Sequence, residues 1–167
     1  MSAETTTAGV DQEAAGCAAV AAAVETLRDR APDLHERLRI DKTNRSAQTG
    51  GSLRWCVAYQ LGLVTNPADT TGTVVPRIVA QLTIQHRNSE EMIFALLEHR
   101  ESIEAAVGHP LSWLPGGEAG GKLRSIIRAW RPMDGTPEAM GAWMADELLR
   151  LREALRPAMA AAALDAP

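Results

Sequence analysis

Residues 77–85 read RIVAQLTIQ, and apolar and polar side chains alternate along them. One set of alternate positions is apolar and consists of Ile78, Ala80, Leu82 and Ile84. The other set carries Arg77, Gln81, Thr83 and Gln85. Because successive side chains of a β-strand point to opposite faces, this period of two predicts a strand with one face in the core and one polar face.

A similar alternation earlier in the chain predicts a partner for this strand. Residues 53–61 read LRWCVAYQL and place Trp55, Val57 and Tyr59 on one face. A turn-rich stretch that runs from Asn66 to Gly72 separates the two segments. Two strands joined in this way are expected to pair as an antiparallel hairpin.

The next part of the chain is predicted to form a helix and then a second hairpin. Asn88 and Glu91 fit a capping box, and Gly108 ends the apolar pattern of the helix that follows. Residues 111–114 are a short apolar stretch, residues 115–121 are rich in glycine, and residues 123–131 alternate as a strand up to Pro132.

Both ends of the chain are predicted to be helical, with a tail beyond each helical part. Thr136 and Pro137 begin a last helix that ends near Pro157. Its buried face is predicted to consist of Trp143, Leu148, Leu151 and Leu155. Residues 11–40 are predicted to be a helical segment and residues 41–52 a loop. Residues 1–10 are expected to be a disordered tail, and residues 158–167 an alanine-rich tail.

These elements predict a single α+β domain over residues 11–157. An N-terminal helical segment (11–40) precedes a sheet–helix core (53–157) with the order ββαββα. This order favours a mostly antiparallel sheet with helices on one face. The chain has 167 residues, which is long enough for one hydrophobic core without help from a disulfide or a metal.

Composition argues against several classes of function and sets the expected location. The formal net charge of −4 argues against a protein that coats nucleic acid or membrane through its overall field. No segment approaches the ~18 consecutive apolar residues of a membrane span, and the first ten residues do not resemble a secretion signal. We therefore expect a cytoplasmic protein without a membrane partner.

The chain carries no recognisable catalytic, metal or cofactor motif. Cys17 and Cys56 have no partners at metal-ligand spacing, and the four histidines are scattered over different predicted elements. Residues 116–122 fit the GxxxxGK spacing of a phosphate-binding loop, but Leu123 provides no hydroxyl for magnesium and the following residues alternate as a strand. We therefore predict a hairpin connection there, no catalytic residue, no metal ligand and no cofactor.

One predicted face of the sheet gathers basic and aromatic side chains. The candidate nucleic-acid-binding residues are Arg54, Arg77, Lys122, Arg124, Arg128 and Trp130. Cations can hold phosphates and an aromatic ring can stack on a base, so this composition is typical of a platform for single-stranded nucleic acid. The alternative is an ordinary solvated face whose arginines pair with nearby acids. The register of the strands decides whether the six residues meet.

About half of the chain is similar to a known family. The residues concerned are the strand 77–84, the helix end 103–108, Leu111-Ser112-Trp113, the strand 123–127 and Ala142-Trp143-Met144. The most specific part of the match consists of Ile103-Glu104, Gly108 and Leu111-Ser112-Trp113. Residues 77–160 resemble the bacterial domain of unknown function 4268 family, which is often found C-terminal to restriction-endonuclease-like nuclease domains. The resemblance implies a genomic setting, but it implies no site residues and no nuclease activity.

The sequence therefore leads to one main hypothesis and two alternatives. The main hypothesis is a non-enzymatic accessory module of a restriction or phage-defence system that binds nucleic acid or a partner protein through the basic sheet face. The first alternative is a small-molecule-binding or enzymatic α+β domain with a site between the sheet and residues 115–121. The second is a structural domain that forms a homodimer through its helices.

Overall fold

A computed structural model describes residues 4–50, 57–64, 76–116 and 124–164, with side chains from residue 11 onward. Its strands form one six-stranded antiparallel sheet with the order β1-β2-β3-β4-β6-β5. The strands are β1 (Leu38–Ile40), β2 (Ser46–Thr49), β3 (Val57–Val64), β4 (Arg77–Gln85), β5 (Ser112–Leu114) and β6 (Arg124–Pro132). The helices are α1 (Glu4–Arg30), α2 (Pro32–His35), α3 (Ser89–Leu97), α4 (Arg100–Val107) and α5 (Pro137–Ala161). This architecture confirms the predicted α+β class. Within these described ranges, no helix combines the length and hydrophobicity that crossing a membrane requires.

The two predicted hairpins are present at the centre of the sheet and at one of its edges. β3 pairs with β4 over the full length of β3, with Tyr59 opposite Leu82 and Leu61 opposite Ala80. β5 pairs with β6 in the same antiparallel sense. β4 also pairs with β6, and this pairing joins the two hairpins into one sheet. Residues 53–56, the predicted start of the first strand, lie outside the described residues.

One face of the sheet carries the hydrophobic core. The apolar positions of the alternating strands are fully buried there, among them Tyr59, Leu82 and Ile127. The buried apolar side chains of all five helices belong to the same core. Helices therefore cover one face of the sheet, as the alternating pattern predicts.

The long helices α1 and α5 pack directly against each other over this core. α5 begins as predicted, because the Thr136 hydroxyl accepts a hydrogen bond from the Ala139 amide and Pro137 occupies the first turn. Leu148, Leu151 and Leu155 are fully buried, whereas Trp143 is only half-buried and packs at the edge of the core. The predicted buried face of α5 is thus right for its leucines, whereas its tryptophan packs against the core but stays partly exposed.

The N-terminal part of the chain differs from the prediction in two ways. α1 begins at Glu4, so residues 4–10 are helical backbone where a disordered tail is expected from their polarity. The predicted loop 41–52 contains β2, and Leu38, which was expected in a helix, begins β1. The turn between these strands is built on Asp41, whose carboxylate accepts hydrogen bonds from Thr43, Arg45 and Ser46. Strands of three and four residues are too short to show a periodic pattern, which explains the error.

The predicted middle helix is in fact two helices. α3 ends at Leu97 and α4 begins at Arg100, and Gly108 ends α4 in the left-handed conformation, as predicted. Leu96 and Ile103 are both buried and lie seven residues apart, which is two helical turns. The apolar pattern therefore runs through the break and could not reveal it. Asn88 occupies the N-cap position of α3, but its side chain forms no capping hydrogen bond.

The C-terminal boundary is also wrong in the prediction, because α5 continues past Pro157 to Ala161. Ala158, Met159 and Leu164 are buried in the core, so residues 158–164 belong to the domain and are not a tail. The Met159 sulfur lies 3.7 Å from the hydroxyl of Tyr59 on β3. Tertiary packing of this last turn outweighs the proline, which sits on the exposed side of the helix.

Candidate nucleic-acid interface

The second face of the sheet carries most of the residues predicted to bind nucleic acid. We call it the polar face and define it by Gln60, Arg77, Gln81, Thr83, Arg124, Arg128 and Trp130. Residues directly opposite each other on paired strands share a face. Gln81 lies opposite Arg128, Gln85 opposite Arg124, and Val79 opposite Trp130. Since Arg77, Val79, Gln81, Thr83 and Gln85 alternate along β4, all of these side chains lie on one side of the sheet.

Four of the six predicted site residues are therefore brought together. They are Arg77, Arg124, Arg128 and Trp130, and they come from the two adjacent strands β4 and β6. Arg54 and Lys122, the other two, lie outside the described residues. The glycine-rich stretch with the GxxxxGK spacing lies outside them too from residue 117 onward.

An apolar floor lies beneath the polar groups. Val79 and Ile126 on this face are only 3% and 2% exposed, yet they do not belong to the core under the helices. Long polar side chains that lie across such a floor keep their stems on apolar atoms and their charged ends outward. The arginines of this face are accordingly half-buried.

The three arginines have no acidic partner among the described residues. Nine ion pairs are formed in that part of the molecule, and none of them contains Arg77, Arg124 or Arg128. Burial lowers the pKa of Arg128, and the nearby positive charges of Arg124 and Arg77 lower it further. The Nε atoms of Arg77 and Arg124 are buried without a hydrogen-bond partner. Three positive charges thus share one face of the sheet without an acidic partner in the described part of the chain, which is a condition that an anionic ligand relieves.

Trp130 is one of the few large apolar side chains that the protein exposes, at 42% of its surface. The guanidinium of Arg77 lies over its ring, 3.7 Å from the ring centre. This cation–π contact holds the indole in place beside the arginines. A fixed and accessible aromatic ring next to cations suits stacking of a nucleobase.

A row of hydrogen-bonded polar side chains crosses the sheet through the middle of the polar face. Arg128 Nε donates to Gln81 Oε1 at 2.7 Å, and Gln81 Nε2 donates to Gln60 Oε1 at 2.7 Å. The Thr83 hydroxyl lies within reach of both glutamines. The glutamines were not among the predicted site residues, although the alternation of β4 places Gln81 in the same polar set as Arg77.

Two carboxylates away from this face have clear structural roles. Glu104 Oε1 accepts hydrogen bonds from the Leu111 amide at 3.0 Å, from the Trp113 indole at 2.9 Å and from Arg100. These bonds connect Glu104 of α4 to Leu111 and to Trp113 of β5, which are residues of the sequence match described above. Glu147 on α5 is buried and meets His109 at 2.6 Å and Arg150 at 3.3 Å.

Outside the polar face, the described residues include a free cysteine and several cavities along the helices. In the ranges that the structure covers, no cluster of three or more potential ligand side chains could hold a metal ion. Cys17 is a free thiol. Cavities of about 590, 370 and 270 Å³ lie along the helices, and charged, small and apolar side chains line them.

Comparison with known proteins adds no relative. No family model, no curated protein and no solved structure matches this chain.

Proposed function

We propose that this protein is a non-enzymatic module that binds single-stranded nucleic acid through the polar face. The observation that carries the proposal is the strand register that places Arg77, Arg124, Arg128 and Trp130 on one side of β4 and β6. Phosphates would pair with the arginines, and a base would stack on the exposed indole. A single strand is favoured over a duplex because only unpaired bases can present their rings to Trp130.

The charge distribution of the whole chain supports a local site. With a net charge of −4, the chain as a whole repels a polyanion, so binding must rely on the polar face itself. The alternative of an ordinary solvated face predicts arginines paired with acids, and no such pair involves these three arginines in the described part of the chain. The resemblance of residues 77–160 supports an accessory role in a restriction or phage-defence system. A methyltransferase or nuclease gene beside this one is the expected genomic observation.

The first prediction tests the arginines with fluorescence anisotropy, using labelled single-stranded oligonucleotides at several salt concentrations. Replacing both Arg124 and Arg128 by glutamate should weaken binding and flatten the dependence of log affinity on log salt. Each lost phosphate contact should reduce that slope by about 0.7. The matched control is the double variant Arg28→Glu and Arg156→Glu, which changes the net charge equally on exposed helix surfaces. This control should keep most of the affinity and the slope of the wild type.

The same titration separates stacking from ionic contacts. Trp130→Ala should cost about 1–3 kcal/mol of binding free energy while leaving the salt slope almost unchanged, because stacking releases no counterions. Since Trp130 is 42% exposed and lies outside the hydrophobic core, its removal should leave the fold intact, and circular dichroism checks this. A wild-type protein that binds no oligonucleotide more tightly than millimolar at low salt would refute the proposed function.

A further inference from the structure

The hydrogen-bond row on the polar face has a direction that chemistry fixes. Arginine carries only donors, so the atom of Gln81 that meets Arg128 Nε must be the acceptor Oε1. The amide nitrogen of Gln81 then faces Gln60 and must donate to Gln60 Oε1. The order from Arg128 to Gln81 to Gln60 therefore follows from the presence of the arginine and does not depend on how the amide groups are assigned.

Thr83 is consistent with the same direction and adds to the row. Gln81 Nε2 also lies 3.3 Å from Thr83 Oγ1, and this hydroxyl can donate to Gln60 Oε1 at 3.4 Å. The acceptor oxygens of both glutamines are thereby occupied. Among the described residues, nothing accepts from the Gln60 amide nitrogen or from the terminal nitrogens of Arg128. The groups of the row that remain available to a ligand are therefore donors, because its amide oxygens already accept hydrogen bonds within the row.

Gln81 is placed to hold Arg128 and is poorly placed to touch a ligand. Gln81 is only 2% exposed, and it lies between Gln60 on β3 and Arg128 on β6. A long arginine side chain on an open sheet otherwise samples many rotamers, and binding would have to order it. The bond to Gln81 fixes Nε and leaves both terminal nitrogens free to meet a phosphate side by side.

We infer that Gln81 is a positioning residue that orients Arg128, and that the polar face takes its ligand through acceptor atoms, namely the phosphate oxygens of a nucleic-acid strand. This inference rests on the proposed function for the identity of the ligand. The orientation of Arg128 itself can be measured without any ligand, so the two can fail separately.

The ligand-free measurement is the exchange of arginine Nε protons with water, followed by nuclear magnetic resonance. In the wild type, the Nε proton of Arg128, assigned with an Arg128→Gln variant, should be protected from exchange. Gln81→Met has nearly the same shape but offers no acceptor, and it should remove that protection. An Arg128 proton that exchanges equally fast in both proteins would overturn the positioning role, whatever the protein binds.

The binding measurement uses the oligonucleotide titration with four variants. Gln81→Met should weaken binding about two- to tenfold, the cost of ordering one freed side chain, and keep the salt slope because all three charges remain. Gln81→Glu should pair with Arg128 and reduce the slope by about 0.7, as Arg128→Gln does. The matched control is Gln48→Met, an exposed position on β2 directly opposite Gln60 but outside the hydrogen-bonded row, and it should bind like the wild type.

The results separate the inference from the proposed function. A wild type that fails to bind refutes nucleic-acid binding, while the proton-exchange result still decides whether Gln81 positions Arg128. If the wild type binds and Gln81→Met binds as tightly as the wild type or as Gln48→Met, the positioning role of Gln81 is refuted. The proposed function is not affected by that result. Should Gln81→Met fold poorly, Gln81→Glu retains an acceptor for Arg128, and an unchanged salt slope in that variant overturns the inference as well.

Discussion

At the scale of single residues, Tyr59 shows how strongly the core alters a side chain. It is the only tyrosine in the chain, and it lies on the helix-covered face of β3. Burial raises the pKa of Tyr59 to about 12, although Arg152 and Arg156 act in the opposite direction. The folded state therefore favours the neutral phenol, whereas in the unfolded chain the phenol ionises near its ordinary pKa of 10.0.

This difference predicts an alkaline limit to stability. A group whose pKa is raised by folding stabilises the fold below its unfolded pKa, so this contribution should be lost between about pH 10 and pH 12. Ultraviolet absorbance of tyrosinate should show a midpoint near 12 in the native protein and near 10 in denaturant. Tyr59→Phe should remove the signal and flatten the pH dependence of stability in that range. A native midpoint near 10 would contradict the burial of the ring.

At the scale of elements, the contact between α1 and α5 depends on one small residue. Gly141 of α5 lies directly against α1. A methyl group placed there would meet the Ala22 side chain at 2.7 Å and the Ala19 carbonyl and Ala23 amide at 2.8 Å. Two of these three neighbours are backbone atoms, which cannot move aside unless the helices separate.

We therefore expect Gly141→Ala to destabilise the protein even though alanine is the better helix former. Overpacking costs about 1–3 kcal/mol, and the ~1 kcal/mol gained in helix propensity offsets only part of it. Chemical denaturation measures the difference. Ala142→Leu adds more volume one residue later on the exposed side of α5, and it should change the free energy of unfolding by no more than about 0.5 kcal/mol. Equal effects of the two substitutions would contradict this tight contact.

The helices and strands also show which parts of the fold can be predicted from the sequence and which cannot. Long periodic segments were predicted correctly, because β3, β4, β6 and α5 each contain enough residues to display a period. The predictions failed where a period is too short to see, as in β1 and β2, or where it runs through a break, as between α3 and α4. Alternation alone placed Arg124, Arg128 and Trp130 on one face of β6, whereas their grouping with Arg77 of β4 depended on the register between the two strands. The hydrogen bonds of Gln60 and Thr83 depend on the register between strands, which the pattern within one strand does not contain.

At the scale of the whole molecule, His109 joins two distant parts of the fold. It precedes β5, and its two ring nitrogens meet the Pro110 carbonyl at 2.8 Å and the buried Glu147 carboxylate of α5 at 2.6 Å. Burial lowers the pKa of His109, but the hydrogen bonds to Pro110 and Glu147 outweigh this and raise it above 6.5 overall, while Arg150 acts weakly against them. Both nitrogens can donate only when the ring is protonated.

Stability should therefore decrease as the pH rises past the pKa of His109. Folding raises this pKa, so the stabilising contribution is complete below the unfolded value of 6.5 and is lost as the pH rises through the folded value. Thermal melts between pH 5 and pH 9 should show this decrease in the wild type, and His109→Gln should reduce it. An unchanged profile for His109→Gln would show that the pair with Glu147 does not contribute.

The register of β6 limits how this protein can change over evolutionary time. The strand presents Ile127 and Ala129 to the helices and Arg128 and Trp130 to the other side, within four consecutive residues. Inserting or deleting one residue within the strand would exchange the two sets and drive a guanidinium into the core. Lineages can therefore alter β6 by substitution at constant length. Homologues should keep the length of this strand even where its individual residues have diverged.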